Sequence, residues 1–458
     1  MKKLLATLLC YLGACALSAS AQPLAFPGAE GAGRFAAGGR GGDVYHVTNL
    51  NDSGPGSFRE GCETAKGPRT IVFDVSGNIA IKRKLDVHTS FLTIAGQTAP
   101  GGGITFRDGT FSMTDAHDII IRFVRFRYGD KNKVDGTDPM DLEGITNSII
   151  DHCSISWGVD GEQDQRHCKD FTMQWMIVAE ALRYSIHPER HEPRNSGKLF
   201  DHARAMSFRD VLGDETIHHN IIASCGDRFP TLGGGAGTHP DSVTNFSNNL
   251  MYNQVGATNL GKNISVVENN YYRPGPDSNY DKKKPISVKA EPVEDARGWV
   301  AGNYFEGRPG YTKDNYTAID YERWAKHGTT ARGNFELKTR PGTRDTGIQL
   351  QSAQDAYESV LKSAGASHAR DAVDARIVAG IRDRTGRMID SQSEVGGWPV
   401  LQSAPPPRCT NGDGIPDDWK TAHGLDINDP DIRNARTLDK NYTNLEVYLN
   451  SLVADIIK

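Results

Sequence analysis

Two acidic clusters and one arginine turn are the parts of this sequence best equipped for chemistry. Asp138-Pro139-Met140-Asp141-Leu142-Glu143 is followed, one strand-sized interval later, by Asp160-Gly161-Glu162-Gln163-Asp164. Carboxylate oxygens gathered from separate loops suit a hard cation such as Ca²⁺. With no His or Cys beside them in sequence, a softer metal is disfavoured. Spacing alone supports solvated acidic loops equally well. A third constellation, Ile217-His218-His219-Asn220 followed by Asp227-Arg228-Phe229-Pro230, offers imidazoles and a guanidinium. Taken singly, such histidines are more often hydrogen-bonded strand residues than ligands, and such an arginine more often a surface ion-pair partner. Gly31-Ala32-Gly33-Arg34-Phe35-Ala36 matches a loose dinucleotide fingerprint, but no strand precedes it and no helix follows. Its glycines are read instead as letting an irregular N-terminal segment pack closely.

The elements that must position these groups are short strands. Runs rich in β-branched and aromatic residues recur from about Ile71 to Gly302: Thr70-Ile71-Val72-Phe73, Leu92-Thr93-Ile94, Ile119-Ile120-Ile121-Arg122-Phe123, and others starting near Ser148, Phe171, Thr216, Val243, Ile264 and Val300. The intervals hold Gly, Asn and Asp rather than amphipathic helical patterns, so stacked coils of a solenoid are favoured over a βαβ sheet. Stacked coils lie about 4.8 Å apart, which would let carboxylates distant in sequence converge. Asn245-Phe246-Ser247-Asn248-Asn249 and Glu268-Asn269-Asn270 fit coil bends where amides bond from turn to turn. Ser57 with Glu60 predicts a capped short helix closing the open end of the core. From about Tyr316 to Val400 the strand recurrence stops, and helical segments such as Ser352 to Ala364 are expected along the outside of the coils.

Composition places these features in a secreted chain. The sequence has 458 residues, 37% hydrophobic and 24% charged, with a formal net charge of -5. That balance excludes a general nucleic-acid binder, and it makes an acidic substrate dependent on local cations or a bridging metal. Lys2 and Lys3, the apolar stretch Leu4 to Leu17 and Ala19-Ser20-Ala21 predict a signal peptide over 1–21 and a secreted or periplasmic protein. Leu12-Gly13-Ala14-Cys15 could be a lipobox giving an outer-surface lipoprotein, a reading its short apolar stretch disfavours. No later segment is long and apolar enough to span a membrane. The remaining Cys62, Cys153, Cys168, Cys225 and Cys409 are odd in number and widely spread, so neither a disulfide framework nor a zinc site is expected.

Read together, Ser148-Ile149-Ile150-Asp151-His152-Cys153-Ser154-Ile155-Ser156-Trp157, His218-His219-Asn220 and Arg228-Phe229-Pro230 resemble the pectate lyases of polysaccharide lyase family 1. The resemblance runs from about Ala25 to Asn303. Phe26-Pro27-Gly28-Ala29-Glu30-Gly31, Gly39-Arg40-Gly41-Gly42 and Val47-Thr48-Asn49-Leu50-Asn51-Asp52 look like the opening of its bacterial secreted branch. It implies an all-β fold, a right-handed parallel β-helix, and an α-1,4-linked polygalacturonate (pectin) substrate cut by β-elimination. It further implies Asp138, Asp160 and Asp164 as calcium ligands, Arg183 in place of a substrate-binding lysine, and Arg228 as the catalytic base. Two departures stand out. Gly233 occupies a position where the family has a further basic residue, and 187–209 has no clear counterpart.

The chain then divides into the signal peptide, a β-helix domain with its outer wrap over 22–402, a Pro-rich linker over 403–408 and a small C-terminal module over 409–458. Asn411-Gly412-Asp413-Gly414-Ile415-Pro416-Asp417-Asp418-Trp419 is similar to calcium loops, but Cys409 and Lys420 fall at the first and twelfth ligand positions, where acids are expected. A structural or attachment module is therefore favoured over a calcium sensor. The chain is read as a monomer. Rival functions are a polygalacturonase on the same fold, which would release no unsaturated sugar, a calcium-independent pectin lyase, which the three aspartates disfavour, and a non-catalytic pectin-binding protein.

Overall fold

The computed structural model describes residues 22–131, 138–187, 202–290, 295–321, 331–342 and 346–457. The signal-peptide and lipobox readings, and most of the unmatched 187–209 segment, fall outside them. Each coil contributes one strand to each of three parallel sheets, which hold ten, nine and nine strands among the described residues. This is a parallel β-helix, right-handed as parallel crossovers almost always are.

The strand recurrence read from the sequence is the first sheet, from Asp43–Val47 to Arg297–Ala301. Its register stacks Ile71, Ile94, Ile121, Ile150, Met173, Ile217, Phe246, Val267 and Val300 in one interior row. All are buried. Identical spacing from coil to coil lets the same side-chain class repeat, and the row forms the axis of the main core.

Single left-handed residues turn the chain from the first sheet to the second. Phe123, His152, Trp175, His219, Asn248 and Asn269 all have φ between 49° and 56°. Four of these stack ring on ring, with centroids 5.0, 5.7 and 4.5 Å apart from Phe123 through His152 and Trp175 to His219. Beside them an amide ladder climbs from Asn220 through Asn249, Asn270 and Asn303 to Asn315. Each upper Oδ1 accepts from both the backbone N–H and the side-chain amide of the residue below, at 2.8–3.1 Å. The asparagines expected at the bends do bond from turn to turn.

Segments outside the coils complete the core. Ser57 caps helix Phe58–Glu63, and the Phe58 ring packs tilted against Phe106, centroids 4.4 Å apart, to close the open end. Only half of the expected reciprocal box forms, because the Glu60 carboxylate accepts from Gly56 N–H and the Tyr45 hydroxyl. The early glycines pack as expected. Gly33 N–H donates to Thr172 Oγ1, and a Cβ there would lie 2.0 Å from the Ser148 carbonyl oxygen. Helix Ala353–Ser363, capped by Ser352, lays Ala353, Ala356, Val360 and Leu361 over Ile177, Ile221 and Leu250 on the outside of the second sheet. Helix Ala372–Asp383 is pinned by the fully buried Arg127, whose guanidinium bridges Asp371 and Asp374. The five described cysteines are all free, and no helix among the described residues is long and apolar enough to cross a membrane.

The tail packs on the solenoid flank. Ile415, Leu445, Tyr448 and Leu449 share an apolar cluster with Ala95, and Arg40 pairs with Glu446 at 2.7 Å. Inside its calcium-like loop the Lys420 ammonium, itself fully buried, donates to Asn411 Oδ1 at 2.8 Å and to both Asp413 oxygens at 3.1–3.2 Å.

Candidate active site

The acidic clusters and the arginine turn meet on the outer face of the third sheet. Its strands Met140–Glu143, Gly161–Arg166, Arg204–Arg209 and Thr231–Gly234 are consecutive, and their register aligns Asp141, Asp164, Ser207 and Thr231 in one row. Alternation sets this row opposite to inward neighbours such as Leu142, Met206 and Phe208. Asp138 enters just before its strand, buried, with one oxygen accepting from Gly161 N–H at 2.6 Å.

Arg228 sits on the turn before Thr231–Gly234 with φ 48°, a left-handed conformation that costs a non-glycine residue energy. Its carbonyl accepts from Met206 N–H at 3.0 Å and its guanidinium donates to Ser207 Oγ at 2.8 Å, so the side chain lies over the rung next to Asp164. Burial lowers its pKa from the usual arginine value, and the positive charges of Arg204 and Arg209 lower it further, against the pull of Asp160 and Asp164.

The carboxylates differ among themselves. Burial raises the Asp138 pKa well above the usual range, reinforced by the charges of Asp160, Asp141 and Asp164. Burial likewise lifts Asp141 to about 6, although Lys84 lies 3.3 Å away. Asp160 moves the other way despite desolvation, because His187, His202 and Arg204 surround it. Asp164 accepts from Arg209, 3.0 Å from Nε to Oδ1, and faces Arg166 at 3.7 Å.

The structure thus brings Asp138, Asp160, Asp164 and Arg228 into one electrostatic neighbourhood. Arg183 stands beside it, half-buried, its carbonyl accepting from the N–H of the same His202 that bonds Asp160. Four contributors were absent from the assignment made on sequence: Asp141, Arg204, Arg209 and the His187–His202 pair. Asp141 lay in the first acidic cluster, one rung from Asp164, but its strand was not legible. The expectation that no histidine joins the acidic set fails, because His187 and His202 flank 188–201 and stack at 4.0 Å beside Asp160. Gly233 has φ +67° and a Cβ there would lie 2.3 Å from Asn263 Oδ1, so no side chain fits. Arg209, register partner of the neighbouring Gly234, supplies the cation on that side.

The donor set fits a hard divalent ion. Four carboxylates crowd one face, and burial together with their mutual repulsion raises the pKa values of Asp138 and Asp141, a cost that a bound cation would relieve. Arg204 and Arg209 compete for Asp160 and Asp164 and would have to yield to it. Among the described residues, two groups hold His and carboxylate atoms within 4.8 Å of one another: Asp160 with His187 and His202, and Glu30 with His218 and His219. The three predicted aspartates do not form such a group. The Asp151-His152 and His218-His219-Asn220 motifs, by contrast, are architectural. Asp151 holds Arg122, His152 and Gln174, whose amide in turn bonds Gly28 and Glu30 of the N-terminal segment.

The chain is 32% identical over 440 residues to a probable pectate lyase C of Aspergillus flavus, covering 94% of each chain. It is 31% identical over 457 residues to a probable pectate lyase C of Emericella nidulans, covering 98% of this chain and 97% of that one. Its fold is similar to that of jun a 1, the major allergen from cedar pollen, with a TM-score of 0.50 and 17% identity over 74% of this chain and 92% of that one. No family model matches the sequence.

Proposed function

The chain belongs to the pectate lyase family, and from that premise we propose that it is a secreted enzyme cutting α-1,4-polygalacturonate by calcium-assisted β-elimination, with Arg228 as the base. The observation that carries this reading is Arg228 itself, half-buried beside Arg204 and Arg209 and bonded to Ser207 on the sheet face that carries Asp164. An arginine can accept a proton only while neutral, and its ordinary pKa lies so far into the alkaline range that this form is scarce at neutral pH. Desolvation and two neighbouring cations enlarge that fraction.

In the reaction, the neutral Arg228 guanidine takes the C5 proton. The electron pair left at C5 forms the C4–C5 double bond as the C4–O4 bond breaks, and the departing oxygen is protonated by water. Asp138, Asp160 and Asp164, with Asp141, would hold Ca²⁺, which supplies charge to neutralise the uronate carboxylate and acidify the C5 proton. Arg183 and Arg209 would bind substrate carboxylates through bidentate hydrogen bonds. Secretion rests on the basic start, apolar stretch and small-residue site of 1–21.

The test is to incubate the protein with polygalacturonate and follow the near-ultraviolet absorbance of the unsaturated product, with calcium, with chelator and with Arg228→Ala. Absorbance should rise only for the parent protein in calcium. No rise in any calcium-containing buffer would sink the assignment, and a rise unaffected by Arg228→Ala would place the base elsewhere.

A further inference from the structure

The row of side chains that begins at Asp141 and Asp164 does not stop at Ser207 and Thr231. The register carries it on through Asn259 to Ser287, three coils beyond Ser207, or about 14 Å at the ordinary strand spacing. There the face opens into a cavity of about 610 Å³. Ser287 lies in its wall, Asp227, which precedes Arg228, stands at the near side, and Lys282, Lys283, Lys284 and Lys289 line it together with Asp320 and with Asp281, which Arg308 holds at 2.7 Å. All four lysines are exposed. Lys284 is tethered through its ammonium to the Ile319 carbonyl at 3.0 Å, while the other three ammonium groups make no hydrogen bond or ion pair among the described residues.

Four lysines outnumber the three carboxylates of Asp227, Asp281 and Asp320, one of which is already paired with Arg308, so the wall is locally cationic in a chain of formal charge -5. Like charges held together repel, and nothing in the fold of the coils requires them, since the strand Ile286–Val288 is formed by Ile286 and Val288 pointing inward. A polyanion lying along the row would relieve that repulsion and would meet the local cations that the acidic chain otherwise lacks.

We propose that the Lys282–Lys284 and Lys289 cavity is a distal subsite for a uronate carboxylate several sugars away from the bond that is cleaved. This rests on the lyase reading above and adds to it a share of the chain-length dependence of binding that Lys282, Lys283 and Lys289 supply. Arg228 bonds the Ser207 rung, so a chain that places its reacting sugar there extends over Thr231 and Asn259 before its acidic end reaches the lysines. Flexible, hydrated ammonium groups on long stems suit a subsite that tolerates variation in the sugar's position, whereas the arginines nearer Arg228 suit fixed bidentate contacts.

The experiment compares the parent with Lys282→Gln/Lys283→Gln/Lys289→Gln. A charge-matched control carries Lys66→Gln/Lys362→Gln/Lys440→Gln, none of which lines the cavity. The first readout is the ratio of kcat/KM on hexagalacturonate to that on trigalacturonate. The second is calorimetric binding of hexagalacturonate in an Arg228→Ala background. The cavity variant should lower the ratio about tenfold, through KM, and weaken hexamer binding by a similar factor, while the control changes neither. An unchanged ratio and unchanged binding in an active enzyme would overturn the subsite and leave the lyase reading intact, as would an equal loss in the control, which would reduce the effect to net charge. A parent protein that forms no unsaturated product would overturn the lyase reading, and the binding comparison would then decide the subsite alone.

Discussion

Arg228 makes the proposed chemistry dependent on pH in one direction. Only its neutral form accepts the C5 proton, and that form grows as pH rises toward its lowered pKa, so kcat should climb through the alkaline range. A maximum at mildly acidic pH would count against Arg228 as base. Arg204→Gln should move the profile to still higher pH, because it removes a positive neighbour and frees Asp160 to attract the proton back to Arg228. On the acid limb of that profile the rate should drop about tenfold for every pH unit by which the midpoint moves up. A buried acidic residue outside the proposed site works against alkaline operation. Glu215 is fully buried, accepts from Gln165 at 2.5 Å, and has its other oxygen without a partner. Burial pushes its pKa up to about 8. A carboxyl whose folded pKa is raised stabilises the fold below its unfolded pKa, and that contribution is lost as pH climbs from about 4.5 to about 8. Glu215→Gln removes the titration and should stabilise the protein at pH 9, relative to the parent, by on the order of 5 kcal/mol more than it does at pH 4. Denaturant melts at the two pH values check this, and equal changes at both would refute it.

At the scale of elements, the coils are held by ladders that repeat a residue type from turn to turn. Asn270 lies inside the amide ladder, accepting two bonds from Asn249 and donating to Phe246 O and Asn303 Oδ1. Asn270→Ala leaves those buried groups unsatisfied and should cost about 3 kcal/mol or more. Asn220→Ala, at the lower end, should cost less, because its side chain makes three such bonds rather than four; thermal melts of the two variants give the comparison. Ladders and periodic apolar rows are the part of the fold that was legible in the sequence. Every strand start read from β-branched runs belongs to the first sheet, whose residues Ile71, Ile94, Ile121 and Ile150 advertise themselves. The third sheet did not. Gly161-Glu162-Gln163-Asp164-Gln165-Arg166 has no apolar side chain and the composition of a loop, yet it pairs in parallel with strands on both sides. Its partners supply the hydrogen bonds that its own composition does not predict. Motif order thus points to Asp138, Asp160, Asp164 and Arg228, which share one neighbourhood, while Asp141, Arg204 and Arg209 needed the register of that polar sheet to be seen. The histidine motifs carried the family resemblance without being part of the acidic face, since His152 and His219 are stacked bend residues and Asn220 is the first rung of a ladder.

At the scale of the whole molecule, the question is which parts depend on a metal. The tail loop is built like a cation site, and its cation is covalent. Lys420 reaches between Asn411 and Asp413 with no exposure to solvent, so its ammonium fills the place that the loop's oxygens would otherwise offer to calcium. The docked tail closes over Ala95 and ties Arg40 to Glu446, so its stability is coupled to the flank of the solenoid rather than to solution calcium. Chelator should therefore abolish product formation while leaving the tail docked and resistant to proteolysis at the exposed 403–408 segment. Lys420→Ala leaves the buried Asp413 carboxylate without its partner and should destabilise the tail by about 3–5 kcal/mol. Lys420→Glu places an acid at the twelfth loop position, so protection of 403–408 should be lost in chelator and regained with added calcium. Loss of protection in the parent on chelation alone would show that a metal, and not Lys420, holds the loop. If the parent tail stays closed in chelator, a single reagent separates the two roles of acidic loops in this chain: catalysis by a removable ion at Asp138, Asp160 and Asp164, and architecture by an ion that cannot leave.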